Sequence, residues 1–298
     1  MKILVTGGKG YIGSKLVKAL EEKGHKVTIY DLPENDILNE RELEIAIKGK
    51  DMVYHLAALA ELSYTDTHPQ ETFEVNVVGT NHIARICAES GVLLQFVSTC
   101  CIYGNPLETP SIEDGLINPS DTYAMSKASA EYVVKLWGLS KGLKYNILRF
   151  GTVYGKSLKK EMRDDMCIQK FLDAASKKED IYVTGDGGQN RNFIHIDDLV
   201  RAMVLLAESE VVGETINLGG SERTSVNDIA RYAQELGAGE ITFREARKDD
   251  FYDQDVSLKK AEMLLGWKPL IPFEFGIKDF YKYGYDSNSS ISSGDISE

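Results

Sequence analysis

The sequence has little that would indicate a metal site, a membrane or a nucleic acid. Its four cysteines, Cys87, Cys100, Cys101 and Cys167, lack the paired spacing of zinc sites, so we expect no metal and four reduced thiols. No apolar run approaches the ~18 residues that cross a membrane, and no signal segment precedes the first strand. The net charge of −12 argues against sequence-independent binding to nucleic acid. We therefore expect a soluble, cytoplasmic protein.

What the chain does have is an alternation of predicted strands and helices. Its 298 residues, 43% of them hydrophobic, suffice for one large α/β unit or for a nucleotide domain with a smaller partner. The predicted strands are Ile3–Val5, Lys26–Tyr30, Met52–Leu56, Leu94–Val97, Tyr145–Phe150, Ile181–Val183, Phe193–Ile196 and Thr215–Leu218. Helical patterns run from about Thr72 to Glu89, from a cap at Ser120–Thr122 through Trp137, from Met166 to Ser176, and from Asp197 or Asp198 to Glu208. This order predicts a parallel sheet with helices on both faces.

A glycine-rich turn follows the first strand and opens the first helix. Gly7 permits a tight turn, Gly10 lets the backbone approach a phosphate, and Gly13 lets helix and strand pack closely. Backbone N–H groups and the positive end of the helix would then face a pyrophosphate. The alternative is an ordinary strand–helix turn without a ligand.

An acidic residue ends the second strand. Asp31 lies near the ~20-residue offset at which a carboxylate binds a ribose 2′-hydroxyl, and it would repel a 2′-phosphate. The pattern favours NAD over NADP. A plain turn residue at the strand end is the alternative.

A tyrosine and a lysine lie four residues apart at the start of a predicted helix. Tyr123 and Lys127 share one helix face, and an ammonium near a phenol lowers the pKa of the phenol. Such a tyrosine can serve as a general base near neutral pH. The strand that ends in Ser98-Thr99 could bring a hydroxyl to the same reacting oxygen. Alone, this pair is common by chance; after a nucleotide turn it indicates catalysis.

Taken together in this order, the motifs resemble the extended short-chain dehydrogenase/reductase family, and more narrowly its nucleotide-sugar epimerase/dehydratase branch. The resemblance covers Met1 to about Tyr281. Its motifs are the glycine turn, His55-Leu56-Ala57-Ala58, Asn76-Val77-Val78-Gly79-Thr80, Ser98-Thr99 ahead of Ile102-Tyr103-Gly104, Tyr123-x-x-x-Lys127, Asn217-Leu218-Gly219 and Leu265-Gly266-Trp267-Lys268-Pro269.

The resemblance implies a Rossmann-type doubly wound parallel sheet with a smaller C-terminal α/β substrate-binding domain. Residues 1–151 would bind NAD, residues 152–285 would mainly bind substrate, and the chain would return to the first domain around 192–218. Residues 286–298 have almost nothing to bury, so we expect a disordered tail.

The resemblance also implies roles for matched residues. Tyr123 would be the catalytic base, Lys127 its pKa modulator, and Thr99 the hydroxyl on the sugar's reacting oxygen. The implied NAD-binding residues are Gly7, Gly10, Tyr11, Ile12, Gly13, Asp31, Asp36, Ile37, Leu56, Ala57, Ala58, Asn76, Tyr123, Lys127 and Phe150. The implied substrate-binding residues are Thr99, Cys100, Cys101, Tyr123, Thr152, Arg191 and Arg247.

Several of these residues also have simpler interpretations. Leu56 to Ala58 would be core in any sheet protein, and Asn76 would only tie loops together. Arg191 and Arg247, which would bind a diphosphate with two guanidinium forks, would otherwise form surface ion pairs.

Three departures from the family pattern bear on the reaction and on the sugar. The first two weaken any assignment of a particular sugar, and the third argues against 4,6-dehydration. Thr152 replaces a common phosphate-binding asparagine, and Lys156 replaces a proline. Cys100-Cys101 replaces the Asp-Glu pair with which 4,6-dehydratases eliminate water. The sequence therefore favours an NAD-dependent 4-epimerase of UDP-glucose/UDP-galactose or a close relative.

Two alternatives stay open. Cys101 resembles the acid/base cysteine of GDP-sugar 3,5-epimerases and 4-keto-sugar reductases, or it is a small buried hydrophobe. A dinucleotide-sensing regulator without activity is the remote alternative. The family also implies a homodimer, paired through the helix of Tyr123 and the helix that follows Asn76.

Overall fold

The computed structural model describes residues 1–106, 108–157, 167–246 and 254–284. The strands are β1 (Lys2–Thr6), β2 (Lys26–Tyr30), β3 (Met52–His55), β4 (Leu93–Thr99), β5 (Tyr145–Phe150), β6 (Thr152–Tyr154), β7 (Ile181–Thr184), β8 (Asn190–His195), β9 (Thr215–Leu218), β10 (Arg223–Ser225) and β11 (Ile241–Arg244). The helices are α1 (Tyr11–Glu22), α2 (Glu40–Ile47), α3 (Leu62–Thr67), α4 (Pro69–Phe73), α5 (Gly79–Ser90), α6 (Thr122–Lys141), α7 (Cys167–Lys177), α8 (Ile196–Ala207), α9 (Val226–Glu235), α10 (Lys259–Leu265) and α11 (Phe273–Gly284). A π-helical turn, Glu74–Val78, joins α4 to α5, and a 3₁₀ turn, Cys100–Tyr103, follows β4.

The largest sheet of the described chain is entirely parallel. Its strand order is β2-β1-β3-β4-β5-β9, which confirms the predicted Rossmann-type doubly wound fold. From β1 the chain moves outward to β2 and then returns to β3 on the other side of β1. The direction of winding reverses between β1 and β3, and ligands of such sheets bind beside the carboxyl ends of the strands at this point.

Alternate residues of the strands feed two cores, one on each face of this sheet. Ile3 and Val5 of β1 pack into the core that contains α1, α8 and Trp267. Leu4, between them, packs into the opposite core with α2 and α5. The short apolar runs are continuous rather than alternating because both faces of the parallel sheet are buried.

Two smaller sheets lie beyond β5. Strand β8 pairs with β6 in parallel and with β10 in antiparallel orientation, and β7 pairs with β11 in parallel. A third core joins α7, α9 and α11. Between these parts the chain enters the large sheet again at β9, which pairs with β5.

The helices follow the sequence pattern with three differences. The helix expected from about Thr72 to Glu89 is divided into α4, the π-helical turn and α5. Asp121 caps α6 as expected, accepting the Ala124 backbone N–H at 2.7 Å, but α6 continues past Trp137 to Lys141. The predicted cap of α8 at Asp197 or Asp198 is wrong, because His195 occupies that position and accepts the Asp197 N–H at 3.3 Å.

Within the described residues, no helix combines the length and the apolar character needed to cross a bilayer. The predicted tail, residues 286–298, lies outside them, as does Met166, the expected start of α7.

Asp198 is instead a buried link between α8 and the segment that follows α10. Its carboxylate accepts the backbone N–H groups of Leu270 at 2.9 Å and Ile271 at 2.8 Å, and it also binds Arg201 at 2.9 Å. The two backbone donors lie more than 70 residues further along the chain, so the carboxylate stabilises tertiary structure rather than the start of its own helix.

We predict that Asp198→Ala lowers the free energy of unfolding by about 1–3 kcal/mol, because two backbone N–H groups lose their buried acceptor. Urea denaturation measures the change. Asp197→Ala is the matched control: Asp197 is exposed and forms a surface ion pair with Lys15, so its loss should cost about 1 kcal/mol or less. Equal losses in the two variants would contradict this assignment.

Candidate active site

The glycine turn after β1 lies against the loop that follows β3. Gly7 has a φ of +69°, and a Cβ there would lie 2.8 Å from the backbone nitrogen of Ala57. A Cβ on Gly13 would lie 2.1 Å from the carbonyl oxygen of Gly7, so α1 can start here only with glycine. At Gly10, the N-cap of α1, a Cβ would meet Gly7 O at 3.1 Å and no second protein atom within 4 Å. The open side of the turn can therefore take a ligand at the helix N-terminus.

A cavity of about 1710 Å³ opens above this turn. Single-ligand sites usually occupy about 300–1,000 Å³, so this volume suits a dinucleotide together with a second ligand. Most of the predicted site residues line it: Gly7, Gly10, Tyr11, Ile12, Gly13, Asp31, Asp36, Ile37, Leu56, Ala57, Ala58, Thr99, Cys101, Tyr123, Lys127, Phe150, Thr152 and Arg191.

The end of the cavity beside β2 is acidic. Asp31 accepts the Lys9 backbone N–H at 2.7 Å and the Leu32 N–H at 2.9 Å, so its carboxylate is held next to the glycine turn. Asp36 accepts the Leu38 N–H at 2.9 Å and also lines this end. Carboxylates suit ribose hydroxyls and repel an added phosphate, which fits NAD better than NADP.

Thr99, Tyr123 and Lys127 line the same cavity from two elements. Thr99 ends β4, and its hydroxyl oxygen accepts the Cys101 N–H at 3.1 Å. Tyr123 and Lys127 lie in the first two turns of α6, and the long side chain of Lys127 is 98% buried, with Nζ 4.3 Å from the centre of the Phe96 ring. Burial lowers the pKa of Lys127 to about 7, although the Glu131 carboxylate opposes this shift.

His55 connects β3 to the floor of the cavity. Its Nδ1 lies 2.8 Å from the Thr6 hydroxyl and its Nε2 lies 3.0 Å from the Thr80 hydroxyl. Burial, and to a smaller extent the positive charge of Lys127, holds the pKa of His55 well below its usual value. The ring is therefore neutral, and it ties the first and third strands to α5.

Asn76 and Cys100 do not line the cavity. Asn76 accepts the Leu59 N–H at 2.8 Å and donates to the Leu59 carbonyl at 2.9 Å and to the Ser126 hydroxyl at 2.9 Å. Asn76 thus joins the loop after β3 to α6, which fits a structural role in connecting loops. The thiol of Cys100 is fully buried and donates to the Arg149 carbonyl at 3.3 Å, so the structure does not place it in the cavity where substrate was expected. Arg247 lies outside the described residues.

The opposite end of the cavity carries positive charge and includes residues that the sequence pattern did not single out. Arg191 of β8 lies here with Lys170 of α7 and Thr152 of β6. Gln254 also lines this end; it is 97% buried, and its amide nitrogen has no hydrogen-bond partner among the residues that the structure describes. A cation in the first turn of α7 is a weak signal in the sequence, and nothing local indicates Gln254. The lining thus includes both carboxylates and cations, and the part formed by Arg191 and Lys170 is called the basic end below.

Known proteins share this architecture. The UDP-glucuronic acid decarboxylase 1 of Xenopus tropicalis is 30% identical over 304 residues, which cover 95% of this chain and 72% of that protein. The crystal structure of the UDP-glucose 4-epimerase of Thermotoga maritima with UDP-glucose has a TM-score of 0.88 and 29% identity, covering 95% of this chain and 98% of that one. The UDP-glucuronic acid 4-epimerase of Bacillus cereus, in complex with UDP-glucuronic acid and NAD, has a TM-score of 0.87 and 28% identity over the same shares of the two chains.

A sequence model of one family covers most of the chain. The model of the NAD dependent epimerase/dehydratase family matches residues 3–219. This match confirms the resemblance inferred from the motifs, and it agrees with the acidic end of the cavity. The chain belongs to the NAD dependent epimerase/dehydratase family of nucleotide-sugar enzymes, and its cofactor is NAD.

Proposed function

We propose that this protein is a nucleotide-sugar 4-epimerase, with UDP-glucose and UDP-galactose, or close relatives of these sugars, as its substrates. The observation that carries the proposal is the shared cavity: Thr99, Tyr123 and Lys127 line the same space as the glycine turn and as Arg191. A base, a hydroxyl, a dinucleotide turn and a cation for a diphosphate are the groups that such a reaction requires.

The residues present fit NAD. The glycine turn and the N-terminus of α1 suit the pyrophosphate. Gly10 has no side chain and lines the cavity, so a phosphate can approach the backbone N–H groups there. The residues that would hold the rest of NAD are Tyr11, Ile12, Asp31, Asp36, Ile37, Leu56, Ala57, Ala58, Tyr123, Lys127 and Phe150. The chemistry that NAD supplies when it is bound is reversible hydride exchange at C4 of the sugar, through a transient 4-keto sugar.

The protein moves the proton. Tyr123 takes the proton of the sugar 4-hydroxyl as the phenolate and returns it at the end of the cycle. Lys127 supports the phenolate because a nearby ammonium lowers the pKa of a phenol. Thr99, held at the end of β4, hydrogen-bonds the same sugar oxygen. Nothing in this set removes water from the sugar, which agrees with epimerisation rather than 4,6-dehydration.

The basic end of the cavity would hold the rest of the substrate. Arg191 suits a diphosphate, since a guanidinium can bind two of its oxygens at once. Lys170 adds a second cation at the same end. One of the proteins named above is described with UDP-glucose and two with UDP-glucuronic acid. UDP-glucuronic acid is therefore the first substrate to test after UDP-glucose.

A second candidate function uses Cys101. Its thiol is half-buried and lines the cavity next to Thr99. Above a 4-keto sugar it could remove a proton from C3 or C5, as in a 3,5-epimerase, whether or not reduction of the 4-keto group follows, as in a 4-keto-sugar reductase. Its distinguishing product is a sugar that carries solvent deuterium at C3 or C5.

Tyr123→Phe should lower kcat by about 10²–10⁴-fold, since the variant lacks the phenolate that takes the sugar proton. The assay follows interconversion of UDP-glucose with UDP-galactose, of the N-acetyl analogues, and of UDP-glucuronic acid with its 4-epimer. NAD binding, measured by calorimetry, should persist in the variant because the glycine turn is intact.

The outcomes separate the candidates. Full activity of Tyr123→Phe would refute the mechanism. Loss of carbon dioxide from UDP-glucuronic acid would make the protein a decarboxylase. Solvent deuterium at C3 or C5 that disappears in Cys101→Ser would favour the second candidate, and NAD binding without turnover of any sugar would indicate a sensor.

Lys127 generates a prediction about pH. Between pH 7 and its ordinary pKa of 10.5, the unfolded chain holds a proton that the buried amine has lost, so the contribution of Lys127 to stability rises with pH. Below pH 7 the buried ammonium carries its full cost. Lys127→Met should therefore abolish activity and yet stabilise the NAD-free protein at pH 6.5 by about 1–4 kcal/mol, with the gain shrinking toward pH 10.

Urea denaturation at several pH values measures this gain. Lys135→Met is the matched control, because Lys135 lies on the same helix but is one-third exposed, so its removal should give no comparable pH dependence. A Lys127→Met protein that is less stable than wild type at pH 6.5 would contradict the prediction.

We also propose that the chain forms a homodimer through α6 and α5. Met125, Tyr132, Leu136 and Leu139 are 52–90% exposed and fall on one face of α6. The opposite face carries Lys127 and the core, and α5 packs alongside. An exposed apolar stripe of this length is typical of a protein interface.

A double variant, Leu136→Glu with Leu139→Glu, should weaken the dimer by about 100-fold or more, since each carboxylate would be buried without a partner. Analytical ultracentrifugation measures the dissociation constant. Leu270→Glu, at an exposed leucine away from α6, is the control and should leave the dimer unchanged. A wild-type protein that sediments as a monomer would refute the interface.

A further inference from the structure

An ion pair is buried directly beneath the cavity, between α6 and β5. Arg149 donates from Nε to Glu131 Oε1 at 2.9 Å and from one terminal nitrogen to Glu131 Oε2 at 2.7 Å. Both side chains are 1% exposed. This is the two-bond fork geometry in which arginine holds a carboxylate most firmly.

The pair is fully hydrogen-bonded by other elements. The second terminal nitrogen of Arg149 donates to the Tyr103 hydroxyl and to the Glu113 carbonyl, each at 2.8 Å. Ser98 donates its hydroxyl to Glu131 at 2.6 Å, and Tyr103 donates to Asn217 at 2.7 Å. The network therefore joins α6 to β4, β5, β9 and the 3₁₀ turn.

Stability alone does not account for such a pair. Removing two charges from water costs several kcal/mol for each, and apolar residues of similar volume often stabilise a protein as well or better. What the fork adds is one fixed arrangement of the elements it joins. Three of those elements carry a cavity residue close by: Ser98 precedes Thr99, Arg149 precedes Phe150, and Glu131 lies one helical turn after Lys127.

We propose that the Glu131–Arg149 pair is a positioning element, which holds the Tyr123 and Lys127 face of α6 in one register against the ends of β4 and β5. Tyr123 and Lys127 then stay opposite Thr99 and Phe150. The expected effect of the pair on kcat rests on the proposed function. Its expected effect on the position and pKa of Tyr123 does not.

The pair also acts on Lys127 electrostatically. Lys127 faces Glu131 and Tyr123 on its own helix, the Phe96 ring of β4, and the neutral His55 of β3. The Glu131 carboxylate raises the pKa of Lys127 against the effect of burial. Without that charge, Lys127 loses its proton at a lower pH and supports the Tyr123 phenolate over a narrower range.

Two variants test the pair. Arg149→Lys keeps the charge and loses the fork, and it should lower kcat by about 10–100-fold while KM for the sugar changes little, because a small misplacement of catalytic groups costs that much. The double variant Glu131→Gln with Arg149→Met removes both charges and should fold, since neither member of the pair is left as an unpaired charge. It should lower kcat similarly and shift the alkaline limb of its pH profile to lower pH.

A measurement without turnover accompanies these rates. The Tyr123 phenol is titrated by ¹³C NMR of labelled tyrosine in the NAD-free protein, with Tyr123→Phe to assign the signal. Its midpoint should rise in the double variant. Arg201→Lys, which weakens the ion pair with the buried Asp198, is the control and should change neither kcat nor the titration.

The outcomes are decisive in both directions. Wild-type kcat in the folded double variant, or losses that the Arg201→Lys control reproduces, would overturn the proposal. If the wild type turns over no nucleotide-sugar, the proposed function fails. An unchanged Tyr123 titration in the double variant would then overturn the pair as well, whereas a raised midpoint would support it.

Discussion

Backbone contact between the glycine turn and the loop after β3 is the constraint on which the cavity depends. A Cβ at Gly7 would overlap the Ala57 nitrogen, and the Thr6 hydroxyl accepts the Ala57 N–H at 3.2 Å. His55 then joins this hydroxyl to α5 through Thr80. Because β1 and β3 are neighbours whose following chains leave on opposite sides, this contact forms a rigid floor at the point where the sheet reverses its winding.

On this floor the protein places charges that burial makes costly. Lys127 is buried beside the Phe96 ring and has a pKa of about 7, and Arg149 is held by a carboxylate that is equally buried. A group that is half protonated near pH 7 responds to small changes in its surroundings, including the arrival of a ligand. The same burial that makes Lys127 responsive also destabilises the protein around it, a conflict expected of functional sites.

The sequence predicts what depends on neighbouring residues and misses what depends on distant ones. The apolar run Lys26–Tyr30 is β2 with the same bounds, and Asp121 caps α6, because both signals are local. The cap of α8 is mispredicted since the Asp198 carboxylate is bound by N–H groups some 70 residues later. Likewise, folding alone aims Lys170 and Gln254 into the cavity and Cys100 away from it. The roles of Thr99, Tyr123 and Lys127 stay predictions.

The proposed proton-transfer residues and the basic end are built by different elements of the fold, which offers a reason why related enzymes differ in substrate. The proposed proton-transfer residues lie on β4 and α6, whereas the basic end is built by α7, β8 and the segment at Gln254. A sugar with a carboxylate adds a negative charge to a diphosphate that already needs the cations at this end. The choice between a neutral hexose and a uronic acid therefore depends on how much positive charge is left after the diphosphate is bound. Under the proposed function, residues around the basic end would select the sugar, and residues held by β4 and α6 would set the proton chemistry.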